Sequence, residues 1–130
     1  MEKVAERFGD FIKRIRTSFT PKMTLKQLSE KLRIPLTQLS DIENNRKKPF
    51  DKDKINLFAS IFGLSENDKA LAFDLAGRER NEIPQDISEK MMYSEVGDLA
   101  RKALRISNGK KQDVELWKEF IQKIEETFQK

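Results

Sequence analysis

The side chains best suited to a chemical task in this chain lie on a short predicted helix and in the cationic segment that follows it. The helix could hydrogen-bond to base edges in a DNA major groove. There an amide can pair with adenine, a carboxylate can accept from cytosine and an aliphatic side chain can contact a thymine methyl group. The candidate base-facing residues are Leu36, Thr37, Gln38, Ser40 and Asp41. Their types and spacing indicate a surface that can distinguish one base sequence from another.

A second set of residues could hold the phosphate groups of the same duplex. The candidate phosphate contacts are Thr24, Lys26, Asn44, Asn45, Arg46, Lys47 and Lys48. Such contacts fix the register of a protein on DNA without reading its sequence. Residues 1–50 carry 12 Lys and Arg against 6 Asp and Glu, whereas residues 51–130 carry 14 against 16. The positive field therefore belongs to the half of the chain that contains both candidate sets.

Two short helices joined by a tight turn must position these side chains. Thr24 can cap the first helix, because its hydroxyl can accept from backbone N–H groups two or three residues on. Leucines then recur at spacings of three and four, which places them on one face; they are Leu25, Leu28 and Leu32. Pro35 lacks a backbone N–H and fits best in the first turn of a helix, so the chain breaks near Ile34 and a second helix begins.

This segment resembles the helix-turn-helix of Cro-type phage repressors and of bacterial xenobiotic-response-element (XRE) regulators. The resemblance covers roughly residues 8–76 and rests on the runs TLKQLSEKL at 24–32, IPLTQLSDIE at 34–43 and NNRKKP at 44–49. It implies an all-α, five-helix, lambda-repressor-like domain whose recognition helix spans Pro35 to Asn44. It also implies a structural ion pair between Arg16 and Glu43. The chain departs from the family pattern at Arg33, where a glycine is usual, and at Pro35, where a Ser or Thr cap is usual.

The remaining sequence predicts further helices and a division into two parts. Caps and apolar spacing predict helices over about Val4–Phe19, Asp51–Gly63, Ser65–Gly77, Pro84–Met92, Ser94–Asn108 and Lys111–Gln129. The stretch RERNEIP at residues 78–84 is charged and ends in a proline, which favours a linker. We therefore predict a DNA-binding domain over residues 1–77, a linker over 78–84 and a C-terminal helical extension over 85–130.

The last predicted helix carries an apolar stripe at alternating steps of three and four. Its members are Val114, Trp117, Ile121, Ile124 and Phe128. A seam of this kind is typical of a surface that a second copy covers, which would make the protein a homodimer. Packing against the preceding helices of the same chain explains the stripe equally well. Fewer than three heptads do not decide between the two interpretations.

Enzymatic chemistry has little support in the sequence. The chain has no histidine for general-base or metal work, no cysteine nucleophile and no glycine-rich phosphate loop. We therefore predict no catalytic residues, no metal and no cofactor. The sequence has no apolar run of the ~18 residues needed to cross a membrane, and it has no secretory signal. We therefore predict that the protein is located in the cytoplasm.

The sequence thus predicts a transcriptional regulator that binds double-stranded DNA sequence-specifically and represses by occupying an operator. Two alternatives stay open. The helices could belong to a plain helical bundle, in which the polar face serves only solubility. The chain could also be a protein-interaction adaptor that retains a helix-turn-helix fold without reading DNA.

Overall fold

The computed structural model describes residues 6–129, which fold into helices joined by short turns. The helices are α1 (Phe8–Ser18), α2 (Leu25–Leu32), α3 (Leu36–Glu43), α4 (Lys52–Phe62), α5 (Glu66–Arg80), α6 (Ser88–Tyr93), α7 (Glu95–Ser107) and α8 (Asp113–Phe128). No strand occurs between residues 6 and 129. The predicted all-α fold class is confirmed.

Two compact units make up this fold, one ending at Ser88 and the other beginning at Glu89. In the first unit, α1 packs on α3 and α5, α2 packs on α3 and α4, and α4 packs on α5. Its core is aromatic and aliphatic, and the largest fully buried side chains are Phe8, Phe11, Ile12, Leu28, Leu32, Leu39, Ile55, Phe58 and Phe73. This core fixes α2 and α3 against the other helices, so the surface of α3 is held on a rigid support.

Local capping signals set the ends of the helices in this unit. Thr24 forms a reciprocal capping box with Gln27, in which the Thr hydroxyl accepts from the Gln27 N–H and the Gln27 side chain accepts from the Thr24 N–H. Asp51 caps α4, and Gly63 closes it in the left-handed conformation. These three ends agree with the sequence-based prediction.

The turn between α2 and α3 contains an unusual backbone conformation. Arg33 adopts φ 60° and ψ 43°, the left-handed region that glycine occupies without a steric penalty. A side chain in this region costs roughly 1–2 kcal/mol. The family's preference for glycine at this position therefore has a physical cause, and the core contacts of α2 and α3 must offset the cost here.

Three predicted helix limits are wrong. The first helix begins at Phe8, because Arg7 is extended, and Val4 lies outside the described residues. α5 does not end at Gly77 but continues to Arg80, so the first residues of the predicted linker are helical. A Cβ at Gly77 would lie 2.9 Å from the Glu82 carbonyl oxygen, so this glycine permits a close approach of the chain rather than a helix end.

α6 begins at Ser88 instead of near Pro84, because residues 85–87 form a turn. In the second unit, Ser94 caps α7 by accepting from the Gly97 N–H. Arg101 of α7 donates to the Met91 carbonyl oxygen and to the Asp98 carboxylate.

None of the helices described is long and apolar enough to cross a membrane.

Candidate nucleic-acid interface

The predicted base-facing side chains share one face of α3. Thr37 and Gln38 are exposed, Leu36 is 44% exposed, and Ser40 and Asp41 are half-buried. The opposite face of the helix is buried, through Leu39, Ile42 and Glu43. α3 therefore presents a short, mainly polar ridge whose side chains can reach a neighbouring surface without disturbing the core.

The buried end of α3 is tied to α1 by an ion pair. Arg16 donates to Glu43 through Nε at 2.7 Å and through Nη2 at 2.9 Å, and its Nη1 donates to the Met23 carbonyl oxygen at 3.1 Å. The side chains of Arg16 and Glu43 are only 13% and 4% exposed. The pKa of Arg16 is raised, chiefly by its hydrogen bond to Glu43, and burial opposes this shift. The pair that the resemblance implied is thus present, and it fixes the orientation of α3.

A second set of contacts clamps the residues just after α3. Asn45 has a left-handed backbone, with φ 60°, and its Oδ1 accepts from the Gly9 N–H at 2.9 Å. Its Nδ2 donates to Asp10 at 3.1 Å. α1 and the end of α3 approach so closely that a Cβ on Gly9 would lie 2.3 Å from the Ile42 carbonyl oxygen. The side chain of Asn45 therefore holds α1 and leaves only one amide hydrogen for a phosphate.

The other predicted phosphate contacts differ in whether their side chains already form ion pairs within the protein. Lys26, Lys47 and Lys48 are exposed and take part in none of the described ion pairs. Arg46 donates to the Asp41 carboxylate at 3.3 Å, so a predicted base-facing residue and a predicted phosphate contact are linked.

Two further predicted phosphate contacts form hydrogen bonds within their own segments. The Thr24 hydroxyl accepts from the Gln27 N–H at the start of α2. The amide of Asn44 donates to the Ser40 carbonyl oxygen at 2.8 Å. Both residues are exposed, so their remaining donors can still meet solvent or a phosphate.

Comparison with protein-family models gives a match within this region. A family model described as helix-turn-helix matches residues 12–69, which contain α2, α3 and α4 in full together with Arg16. This region is a helix-turn-helix domain. No curated protein and no solved structure matches the chain. The match confirms that this region resembles the helix-turn-helix of XRE-type DNA-binding regulators.

The helix-turn-helix domain also borders a cationic cleft that the sequence did not predict. Its volume is about 680 Å³. The polar and charged residues that line it are Gln38, Arg46, Lys47, Lys48, Asp51, Lys54 and Arg80. Five of these are cations, and the one carboxylate, that of Asp51, is occupied in capping α4. The cationic surface next to α3 therefore extends beyond Arg46, Lys47 and Lys48, the cations that follow the helix in the sequence.

Lys54 and Arg80 are the residues that sequence reasoning missed. Lys54 Nζ donates to the Leu32 carbonyl oxygen, 22 residues away, and Arg80 Nη2 donates to the Pro49 carbonyl oxygen at 2.6 Å, 31 residues away. No local pattern reports contacts at such separations. The family match ends at residue 69, so Arg80 lies beyond it as well.

Proposed function

We propose that this protein is a sequence-specific repressor that occupies an operator in double-stranded DNA and thereby blocks polymerase in the cytoplasm. The observation that carries this proposal is the exposed ridge of α3, which is anchored by a buried ion pair and followed directly by exposed cations. α3 is the recognition helix, and a helix of this kind enters the major groove in such domains. DNA binding resides in the first unit, in which α5 runs to Arg80, and the helices of the second unit are an extension of it.

The two predicted sets of residues have different tasks in this proposal. Thr37 and Gln38 are the most accessible polar side chains on α3 and contact base edges, and Leu36 can contact a thymine methyl group. Lys47 and Lys48 contact phosphates and fix register. Arg46 has a double role, because its guanidinium also orients the Asp41 carboxylate.

Gln38→Ala is expected to relax sequence preference at one position of the operator. A good bidentate contact between an amide and a base is worth roughly 1–3 kcal/mol of discrimination. Competition binding with single-base operator variants measures this loss. Gln122→Ala, which removes an exposed glutamine from α8, is the matched control and should leave the preference unchanged. If Gln38→Ala has the same discrimination as the wild type at every position, Gln38 does not read a base.

Lys47→Ala is expected to weaken binding to all duplexes alike. Loss of one phosphate contact removes about one unit from the slope of log affinity against log salt concentration. Titrations of an unrelated duplex at several salt concentrations measure the slope. Lys118→Ala removes the same charge from an exposed position on α8 and should leave the slope unchanged. An unchanged slope in Lys47→Ala would remove Lys47 from the interface.

A protein-interaction adaptor is the alternative, and the same titrations test it. A DNA reader must bind an unrelated duplex with an affinity that falls steeply with salt, because each contacted phosphate releases counterions. An adaptor that does not use this face on DNA would show no retention on duplex DNA at low salt. Retention with a steep salt dependence supports the proposal, whereas its absence favours the adaptor.

We propose in addition that the repressor acts as a homodimer. One helix-turn-helix contacts one half-site, and regulators of this kind bind two half-sites about 34–36 Å apart, or a multiple of that spacing. Linking two readers raises affinity because the second binding event becomes intramolecular. A symmetric operator recovered by selection from random duplexes would support the dimer.

A further inference from the structure

The cationic cleft beside α3 contains two cations that lie outside α2, α3 and the segment that follows them. Lys54 belongs to α4 and Arg80 ends α5. Both are half-buried, whereas Arg46, Lys47 and Lys48, which line the same cleft, are exposed. Burial makes an uncompensated charge more costly than it is at the surface. Lys54 and Arg80 are therefore the cations of this cleft for which an anionic partner matters most.

Neither of these two side chains forms an ion pair with a carboxylate in residues 6–129. Lys54 Nζ donates to the Leu32 carbonyl oxygen at 2.5 Å, and Arg80 Nη2 donates to the Pro49 carbonyl oxygen at 2.6 Å. The Nε of Arg80 is buried and meets no acceptor among the described residues. Carbonyl oxygens compensate a buried cation only in part, so both charges can still stabilise an anion in the cleft.

The two hydrogen bonds also hold the cations on a rigid support. Lys54 is tied to the last residue of α2, and Arg80 is tied to Pro49, at the end of the cationic segment that follows α3. The apolar lining of the cleft consists of Ile42, Pro49 and Phe50, which are all buried. Donors that are already fixed in place bind a ligand at a lower cost in conformational entropy.

The donors indicate the chemistry of the ligand. The cleft has five cations, and its one carboxylate, that of Asp51, accepts from a backbone N–H at the start of α4. A guanidinium matches two oxygens of a phosphate, and an ammonium group supplies a point charge beside it. A single carboxylate would leave most of this positive charge uncompensated. Successive phosphate groups, on a nucleic-acid backbone or in a polyphosphate, match it better.

We propose that this cleft is a phosphate-binding site in which Lys54 and Arg80 are the inner donors. When the protein is on DNA, the ligand is the duplex backbone beside the bases that α3 contacts, and this part of the proposal rests on the proposed DNA-binding function. The same donors accept the phosphate groups of a free molecule, which would compete with DNA because Gln38 and Lys47 line the same cleft. Arg80 lies beyond the family match, which ends at residue 69.

Titration of pyrophosphate into the full-length protein, without DNA and at fixed ionic strength, tests the site by itself. Arg80→Gln and Lys54→Met should each weaken pyrophosphate binding by roughly 10-fold or more, because each removes a hydrogen bond between charged groups. Arg80→Lys keeps the charge but loses the planar set of donors, so its affinity should fall between those of the wild type and Arg80→Gln. Circular dichroism of each variant checks that its helices are retained.

Arg78→Gln is the matched control for Arg80→Gln. It removes the same charge from an exposed position on the same helix, and Arg78 does not line this cleft. It should bind pyrophosphate like the wild type. Equal losses in Arg78→Gln and Arg80→Gln would overturn the proposal, because the effect would then come from net charge and not from the cleft.

Salt titrations on an unrelated duplex identify the source of the phosphate. If the duplex backbone occupies the cleft, Arg80→Gln should lower the slope of log affinity against log salt concentration by about one unit. An unchanged slope together with weakened pyrophosphate binding would assign the cleft to a free phosphorylated molecule. The proposal is overturned if Arg80→Gln and Lys54→Met change neither the slope nor the pyrophosphate affinity. If the wild type does not bind the duplex, the DNA-binding proposal fails, and the pyrophosphate titration still decides whether the cleft binds phosphate.

Discussion

Glu43→Ala is expected to lower the free energy of unfolding of the DNA-binding unit by about 3–5 kcal/mol. Removing one partner of a buried ion pair leaves the other charge buried without compensation, and this costs roughly that amount. Arg16 would keep only its hydrogen bond to the Met23 carbonyl oxygen. Domains of this size are stable by about 5–15 kcal/mol, so the expected loss is a large fraction of the total stability. Urea titration followed by circular dichroism measures the loss.

Glu79→Ala is the matched control for this substitution. Glu79 accepts from Arg7 through two hydrogen bonds of 3.0 and 2.8 Å, which is the same bidentate geometry, but this pair lies at the surface. Solvent screens an exposed pair, so Glu79→Ala should barely move the urea midpoint. If the two variants lost equal free energies of unfolding, the burial of Glu43 would add nothing to stability. An unchanged urea midpoint in Glu43→Ala would contradict the claim that the pair stabilises the DNA-binding unit.

Gly9→Ala is expected to destabilise the same unit, although alanine is the better helix former by about 1 kcal/mol. The new Cβ would lie 2.3 Å from the Ile42 carbonyl oxygen and 2.8 Å from that of Glu43. Backbone atoms cannot rotate away, so α1 and α3 must separate. Overpacking of this kind costs typically 1–3 kcal/mol, and the hydrogen bond from Gly9 to Asn45 would weaken as well. The urea midpoint measures the combined effect.

Lys13→Ala controls for the helix propensity of α1, because Lys13 is an exposed position in the same helix. It should keep or slightly raise the midpoint. A double variant, Gly9→Ala with Asn45→Ala, separates the two causes of the clash. It removes the Asn45 side chain, whose Oδ1 would lie 2.5 Å from the new Cβ, but leaves the carbonyl groups of Ile42 and Glu43 in place. Rescue by Asn45→Ala would show that the side chain alone causes the loss and that the helix backbones can adjust.

Local chemistry explains how much of this fold could be predicted. The ends at Thr24, Asp51 and Gly63 follow from side chains or a glycine acting within a few residues, so the sequence reports them directly. The buried face of α3 follows from helical spacing in the same way. Gly77 misled the prediction because a glycine that ends a helix and a glycine that admits a neighbouring backbone look alike in a sequence.

The parts of the candidate site that escaped prediction depend on long-range contacts. The hydrogen bonds of Asn45 to α1 join residues 35 and 36 positions apart, and those of Lys54 and Arg80 join residues 22 and 31 apart. The sequence therefore identified Asn45 as a free donor, although its amide holds the end of α3. The ion pair of Arg16 and Glu43, 27 residues apart, was predicted through the family resemblance and not from the spacing of the two residues.

Selection of bound duplexes from a random pool is the most direct test of the claim that α3 reads DNA. The wild type should enrich a defined motif, and the exposed ridge of α3 predicts that Gln38→Ala enriches a motif relaxed at one position. Lys47→Ala should enrich the wild-type motif with lower yield, because a phosphate contact carries no sequence information. Recognition by this helix would be contradicted if the wild type enriched no motif. It would also be contradicted if alanine substitutions at Gln38 and at the other exposed residues of α3 all left the enriched motif unchanged.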